Sequence, residues 1–144
     1  MPSHEGSKQL QRIKALEGPW TGSTVTHEST VICAVTLGGR AVVETLHPGS
    51  PMGMVSVYYD TDDGVAMTHY CAPGNQPCLV QSDVSRNLIT LAPSKDAAID
   101  VGTEEHMHGV TFKFLGKDKM EAIWIHDEDG AQAGEVTTTL TRQK

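Results

Sequence analysis

Three short stretches carry the residues that could do chemistry. They are THYCAPGNQPC at 68–78, HMHGVTFKFL at 106–115 and KMEAIWIHD at 119–127. Imidazoles from neighbouring strands suit a divalent transition metal, and two histidines at i and i+2 on one strand face the same way and can chelate together. His69, His106 and His108 are therefore a candidate metal set, with His126 close in pattern. A bound zinc would keep a fourth position for water if the site were catalytic. The same imidazoles could serve instead as a polar anchor for a ligand, or simply hydrogen-bond to backbone, tyrosine or water. Acid–base chemistry needs a carboxylate in reach of a histidine, and Glu44 in RAVVETLH is the carboxylate to consider. In an apolar surrounding its pKa would rise unless it were paired.

Alternation decides which of these side chains share a face. In HMHGVTFKFL, His106, His108, Val110, Phe112 and Phe114 form one set and Lys113 belongs to the other, so the first set is expected inside. In KMEAIWIHD, Met120, Ala122, Trp124 and His126 are the inner set, against Glu121 and Asp127. GVAMTHYC places Val65, Met67, His69 and Cys71 together. Glu44 and His47 have opposite parity, so a regular strand turns only one of them inward, and Glu44 is preferred. Cys71 lies two residues from His69, yet no third group is evident to orient a base, so the reading is a small core residue. APGNQP is made of turn formers, and Asn75 and Gln76 at a rim could still meet a polar group. Glu104 and Glu105 are expected in water. DTDDG and HDEDG are hairpin turns, since neither has the spacing of a calcium loop.

The elements that must position these residues are almost all strands. One helix is expected over about 6–17, with Leu10, Ile13, Leu16 and the stem of Lys14 on one face, Ser7 as N-cap and Gly18 ending the turn. Beyond Trp20, runs of Val, Thr, Ile and Tyr predict strands near 20–27, 30–36, 40–47, 54–60, 64–71, 77–83, 87–92, 98–102, 106–115, 119–127 and 132–143. LGGR, HPGSP, DTDDG, APGNQP, LAPSKD, LGKDK and DEDGAQAG separate them. Roughly ten strands at such spacing predict an all-β, antiparallel up-and-down barrel spanning residues 1–144 as a single domain.

LEGPWTGS, following a short helix and opening the first strand, resembles the Gly-x-Trp signature of the calycin superfamily, which includes lipocalins, fatty-acid-binding proteins and small bacterial lipocalin-like barrels. The resemblance implies that Trp20 closes one end of the barrel, that Arg142 of LTRQK packs over its ring, and that the helix is a lid. The helix-turn-helix that fatty-acid-binding proteins insert between their first strands is missing here.

A formal net charge of −7 without any Lys or Arg run disfavours nucleic acid and anionic membrane as partners. No stretch reads as a signal peptide or a bilayer span, and three cysteines without a CxxC pair predict a reduced, cytoplasmic protein. The expected function is binding of a small, largely apolar molecule in the lumen. Its site would be Glu44, Met67, His69, His106, His108, Phe112, Trp124 and His126. Alternatives are an enzyme using the lumenal histidines through a metal ion or as acid and base, a haem protein with one of the four histidines axial, and a barrel filled by its own side chains. The oligomeric state is left open, a dimer included.

Overall fold

A computed structural model describes residues 4–71, 74–94 and 105–143. Helix α1 (Lys8–Lys14) precedes ten strands: β1 (Gly18–Ser23), β2 (Glu28–Thr36), β3 (Ala41–Leu46), β4 (Met54–Thr61), β5 (Gly64–Tyr70), β6 (Cys78–Ser85), β7 (Leu88–Pro93), β8 (His106–Phe114), β9 (Lys119–Glu128) and β10 (Ala131–Arg142). Each strand pairs antiparallel with its neighbour in sequence, and β10 returns to pair with β1, so the sheet closes into a barrel without an edge. The strand expected at 98–102 lies outside the described residues. The first strand is shorter than the 20–27 expected, because residues 24–27 form a turn in which Thr24 N–H donates to His27 C=O. Side-chain hydrogen bonds among Thr24, Thr26 and His27 tighten that turn, which is how threonine and histidine in a β-rich run end a strand.

Alternation fills the interior. Val42, Tyr58, Val65, Met67, Leu79, Ile89, Leu91, Val110, Phe112, Met120 and Ala122 are all buried. The turns β2–β3, β4–β5, β6–β7 and β8–β9 lie at one end, and α1 with the turn that follows it covers that end with Leu10, Ile13 and Leu16. Ser7 caps the helix by accepting from Leu10 N–H, and its backbone and hydroxyl bond Asp60 at the end of β4. Arg12 reaches the carbonyls of Ser85 and Arg86 and stands 4.7 Å over the Phe114 ring.

Trp20 is buried at the same end and donates from Nε1 to Leu16 C=O. The Arg142 guanidinium carbon sits 4.5 Å above its ring, while the guanidinium nitrogens donate to Asp118 Oδ1, Glu17 C=O and Ala15 C=O. One side chain from the last strand thus ties the first strand, the end of the helix and the β8–β9 turn together. A stacked guanidinium keeps its fork free for such in-plane bonds.

Candidate functional site

At the opposite end the side chains do not fill the barrel. A cavity of about 720 Å³ opens between the β1–β2 turn, the β3–β4 connection and strands β8, β9 and β10. Val31, Leu46, Met54, Met107, Trp124 and Leu140 make its apolar wall, and Glu44 is the buried carboxylate in its lining. The volume lies within the roughly 300–1,000 Å³ of small-molecule sites. Met67 and Phe112, expected as wall, are instead packed in the solid core and do not line this space.

Glu44 is at one end of a buried polar row. Register sets Glu44 of β3 beside Ser56 of β4, and Ser56 beside His69 of β5. Tyr58 Oη donates to Glu44 Oε1 at 2.7 Å, and Ser56 Oγ is 2.7 Å from His69 Nδ1. Burial pushes the Glu44 carboxyl up to about 7, although hydrogen bonds from Tyr58 and Ser56 hold it lower than burial alone would. Burial likewise brings His69 down to about 4, so its ring is neutral at physiological pH. Ser56 Oγ and His69 Nδ1 share one hydrogen bond, and the other ring nitrogen, Nε2, is buried. That nitrogen has no hydrogen-bond partner among the described residues. The His69 ring lies against Trp124, with 5.6 Å between centroids, rather than against the open cavity.

The other histidines depart from strict alternation. Register shifts between Met107 and Gly109, so β8 carries a bulge at His108. Past it, Met107 pairs with His126 and joins Trp124 in lining the cavity, while His106 pairs with Asp127. Neither His106 nor His108 lines the cavity where alternation places both: His106 is fully buried beside Asp127, and His108 is 36% exposed. His126 keeps Trp124's parity, but its half-exposed ring stands 3.2 Å from the Glu105 carboxylate and outside the lining. The donor atoms that converge belong to His106, His108 and Asp127, within 4.8 Å of one another. His69 is outside that group. Asp127 is the member that alternation assigns to the outer face and leaves without a role. The one mark the bulge leaves in HMHGVTF is Gly109, an isolated glycine inside a strand run, which signals a bulge or a close backbone approach.

Two further histidines, His27 and His47, do line the cavity, at its mouth, with ring centroids 6.5 Å apart. Parity excludes His47 if Glu44 faces inward, but β3 ends at Leu46 and His47 takes a left-handed φ of 50°, which releases it from alternation. Sequence reasoning misses Ser56 and Tyr58, because the other parity of β4 holds Val55, Val57 and Tyr59 and reads as the inner set; only their register beside Glu44 and His69 identifies them.

The APGNQP loop has a mainly structural role in its described part. Cys71 N–H donates to Asn75 C=O, and Asn75 Nδ2 donates to Glu105 C=O at 2.7 Å. Cys33, Cys71 and Cys78 are free thiols, and burial raises the Cys71 pKa, which makes a nucleophilic role for it less favourable.

Comparison with known proteins brings no relative to this site. A scan against models of protein families finds no match, and a search of curated proteins finds none either. Chemically, the arrangement offers an apolar recess with one buried carboxyl group, Glu44, which burial raises to about 7. Beside the recess, on the β8–β9 pair, is a separate cluster of two imidazoles and a carboxylate.

Proposed function

We propose that this chain is a lipocalin-like carrier barrel, akin in design to the calycins, that holds a small and largely apolar molecule in the open half of its lumen. The observation that carries this reading is the cavity of about 720 Å³ with a single buried carboxyl, Glu44, set in an apolar wall. A guest there exchanges water for Val31, Leu46, Met54, Trp124 and Leu140, at about 25 cal/mol per Å² of apolar surface buried. Glu44 anchors its polar end. As an acid it donates a hydrogen bond, and as a carboxylate it accepts one from a hydroxyl, an amide or an amine. The Trp20–Arg142 stack, the helix lid and the GPW opening of β1 support kinship with that superfamily. Three free thiols fit a reducing, cytoplasmic setting. No helix among the described residues is long and apolar enough to cross a membrane.

The test is displacement of an environment-sensitive dye from the cavity by a panel of apolar molecules bearing an amine, a hydroxyl or no polar group. Filling the recess with Met54→Trp abolishes dye binding in a barrel that remains folded. Glu44→Gln weakens the polar guests about tenfold, the worth of one buried hydrogen bond, and leaves the purely apolar ones unchanged. Dye binding that survives Met54→Trp intact would remove the cavity from consideration.

A second reading rests on the Glu44 carboxyl standing near 7, where a general acid or base works best. An enzyme of this kind turns over its guest with a rate that depends on a group of pKa about 7 and that vanishes in Glu44→Gln. A carrier returns its guest unaltered.

A further inference from the structure

We propose that His106, His108 and Asp127 form a binding site for one divalent transition-metal ion of the zinc or iron(II) type, beside the cavity rather than in it. His106 Nε2 lies 2.8 Å from His108 Nδ1, and the same Nδ1 lies 3.1 Å from Asp127 Oδ2. A neutral imidazole nitrogen carries one hydrogen or one lone pair. If His108 Nδ1 donates to Asp127, it has no lone pair for His106; if it accepts from His106, its lone pair faces the carboxylate. A cation satisfies all three donors at once. Adjacent ligand atoms around a tetrahedral ion with bonds of about 2.0–2.2 Å stand about 3.3–3.6 Å apart, so these two contacts need to open by only a few tenths of an ångström to about half an ångström.

The backbone is shaped for this meeting. His106 and Asp127 are cross-strand partners, and the bulge at His108 brings a second imidazole to the same place. Gly109 follows the bulge, where a Cβ would stand 3.1 Å from Leu91 C=O. His106 and Asp127 are buried while His108 is 36% exposed, so a bound ion keeps a coordination position open toward solvent. Two nitrogens and one carboxylate select a borderline transition ion over Mg²⁺ or Ca²⁺, which require oxygen cages. The site does not depend on a guest in the lumen, and it stands or falls separately from the carrier reading.

The experiment titrates the chelator-treated full-length chain with Zn²⁺ by calorimetry, with Co²⁺ as a spectroscopic probe and Mg²⁺ as a control. One equivalent of Zn²⁺ per chain is expected, with visible ligand-field bands for Co²⁺ and no heat for Mg²⁺. His108→Ala and Asp127→Asn each weaken Zn²⁺ by at least about 100-fold, since even an outer-shell partner of a metal is worth about 10–100-fold. His106 is fully buried, so the half-exposed His108 supplies the variant that keeps its fold, checked by circular dichroism. Zn²⁺ raises the melting temperature of the parent chain but not that of His108→Ala. Absence of stoichiometric Zn²⁺ uptake overturns the proposal. So does uptake that survives both variants, or that disappears in His27→Ala/His47→Ala instead.

Discussion

Glu44 and His69 face the same burial with opposite consequences. The Glu44 carboxyl rises from 4.5 to about 7, so the fold prefers its protonated form; its contribution to stability is complete below 4.5 and is lost as pH climbs to 7. His69 falls from 6.5 to about 4, so the fold prefers its neutral form; its contribution is complete above 6.5 and is lost as pH drops toward 4. Each amounts to about 3 kcal/mol, and between pH 4.5 and 6.5 the two slopes cancel. Denaturant unfolding across pH 4.5–7 exposes them separately. Relative to the parent chain, Glu44→Gln gains about 3 kcal/mol as pH rises through that window, and His69→Gln loses a similar amount. Parallel pH curves for parent and variants would mean that neither group is buried as described.

At the scale of elements, the closed end depends on few but well-connected side chains. Arg142→Ala removes a stacked guanidinium and its bonds to Asp118, Glu17 and Ala15, for a loss of about 2–3 kcal/mol. Thermal melting should show a fall of roughly 5–10 °C, with Arg142→Lys restoring only part, because an ammonium cannot stack and fork together. Ser7→Ala takes away the N-cap of α1 and its hydroxyl bond to Asp60, for about 1–2 kcal/mol. These changes lie at the helix-covered end, so dye affinity at the open end is expected to stay within about twofold for both variants. A large loss of affinity in Arg142→Ala would show that the two ends are coupled.

The whole molecule is one closed sheet around one core, and its two halves differ only in how far side chains fill the lumen. Unfolding is accordingly expected as a single transition, with a heat-capacity change of about 2 kcal/mol/K for a chain of this length. Calorimetric and van't Hoff enthalpies that disagree would indicate that the helix-covered half melts separately. A guest in the cavity raises that one melting temperature by mass action.

The run of β-forming residues cut by turn signals was enough to place the ten strands of the described residues, their antiparallel barrel and the N-terminal helix, because strands of period two and a helix of period 3.6 leave local marks. GPW with the terminal Arg142 pointed to the end that is closed, and alternation along β3 and β5 placed Glu44 and His69 inside. Tertiary structure decided the rest. The Glu44–Ser56–His69 row depends on register between three strands, which is a property of paired backbones and of no single segment. The bulge at His108 moved Met107 into the wall and brought His106 and His108 to Asp127, and the left-handed His47 turned a residue of the wrong parity toward the mouth. Each of these is a break in a periodic rule by one residue. Such a break costs little locally and is sustained by the long-range pairing around it, so the sequence displays at most a permissive residue such as Gly109 and not the break itself.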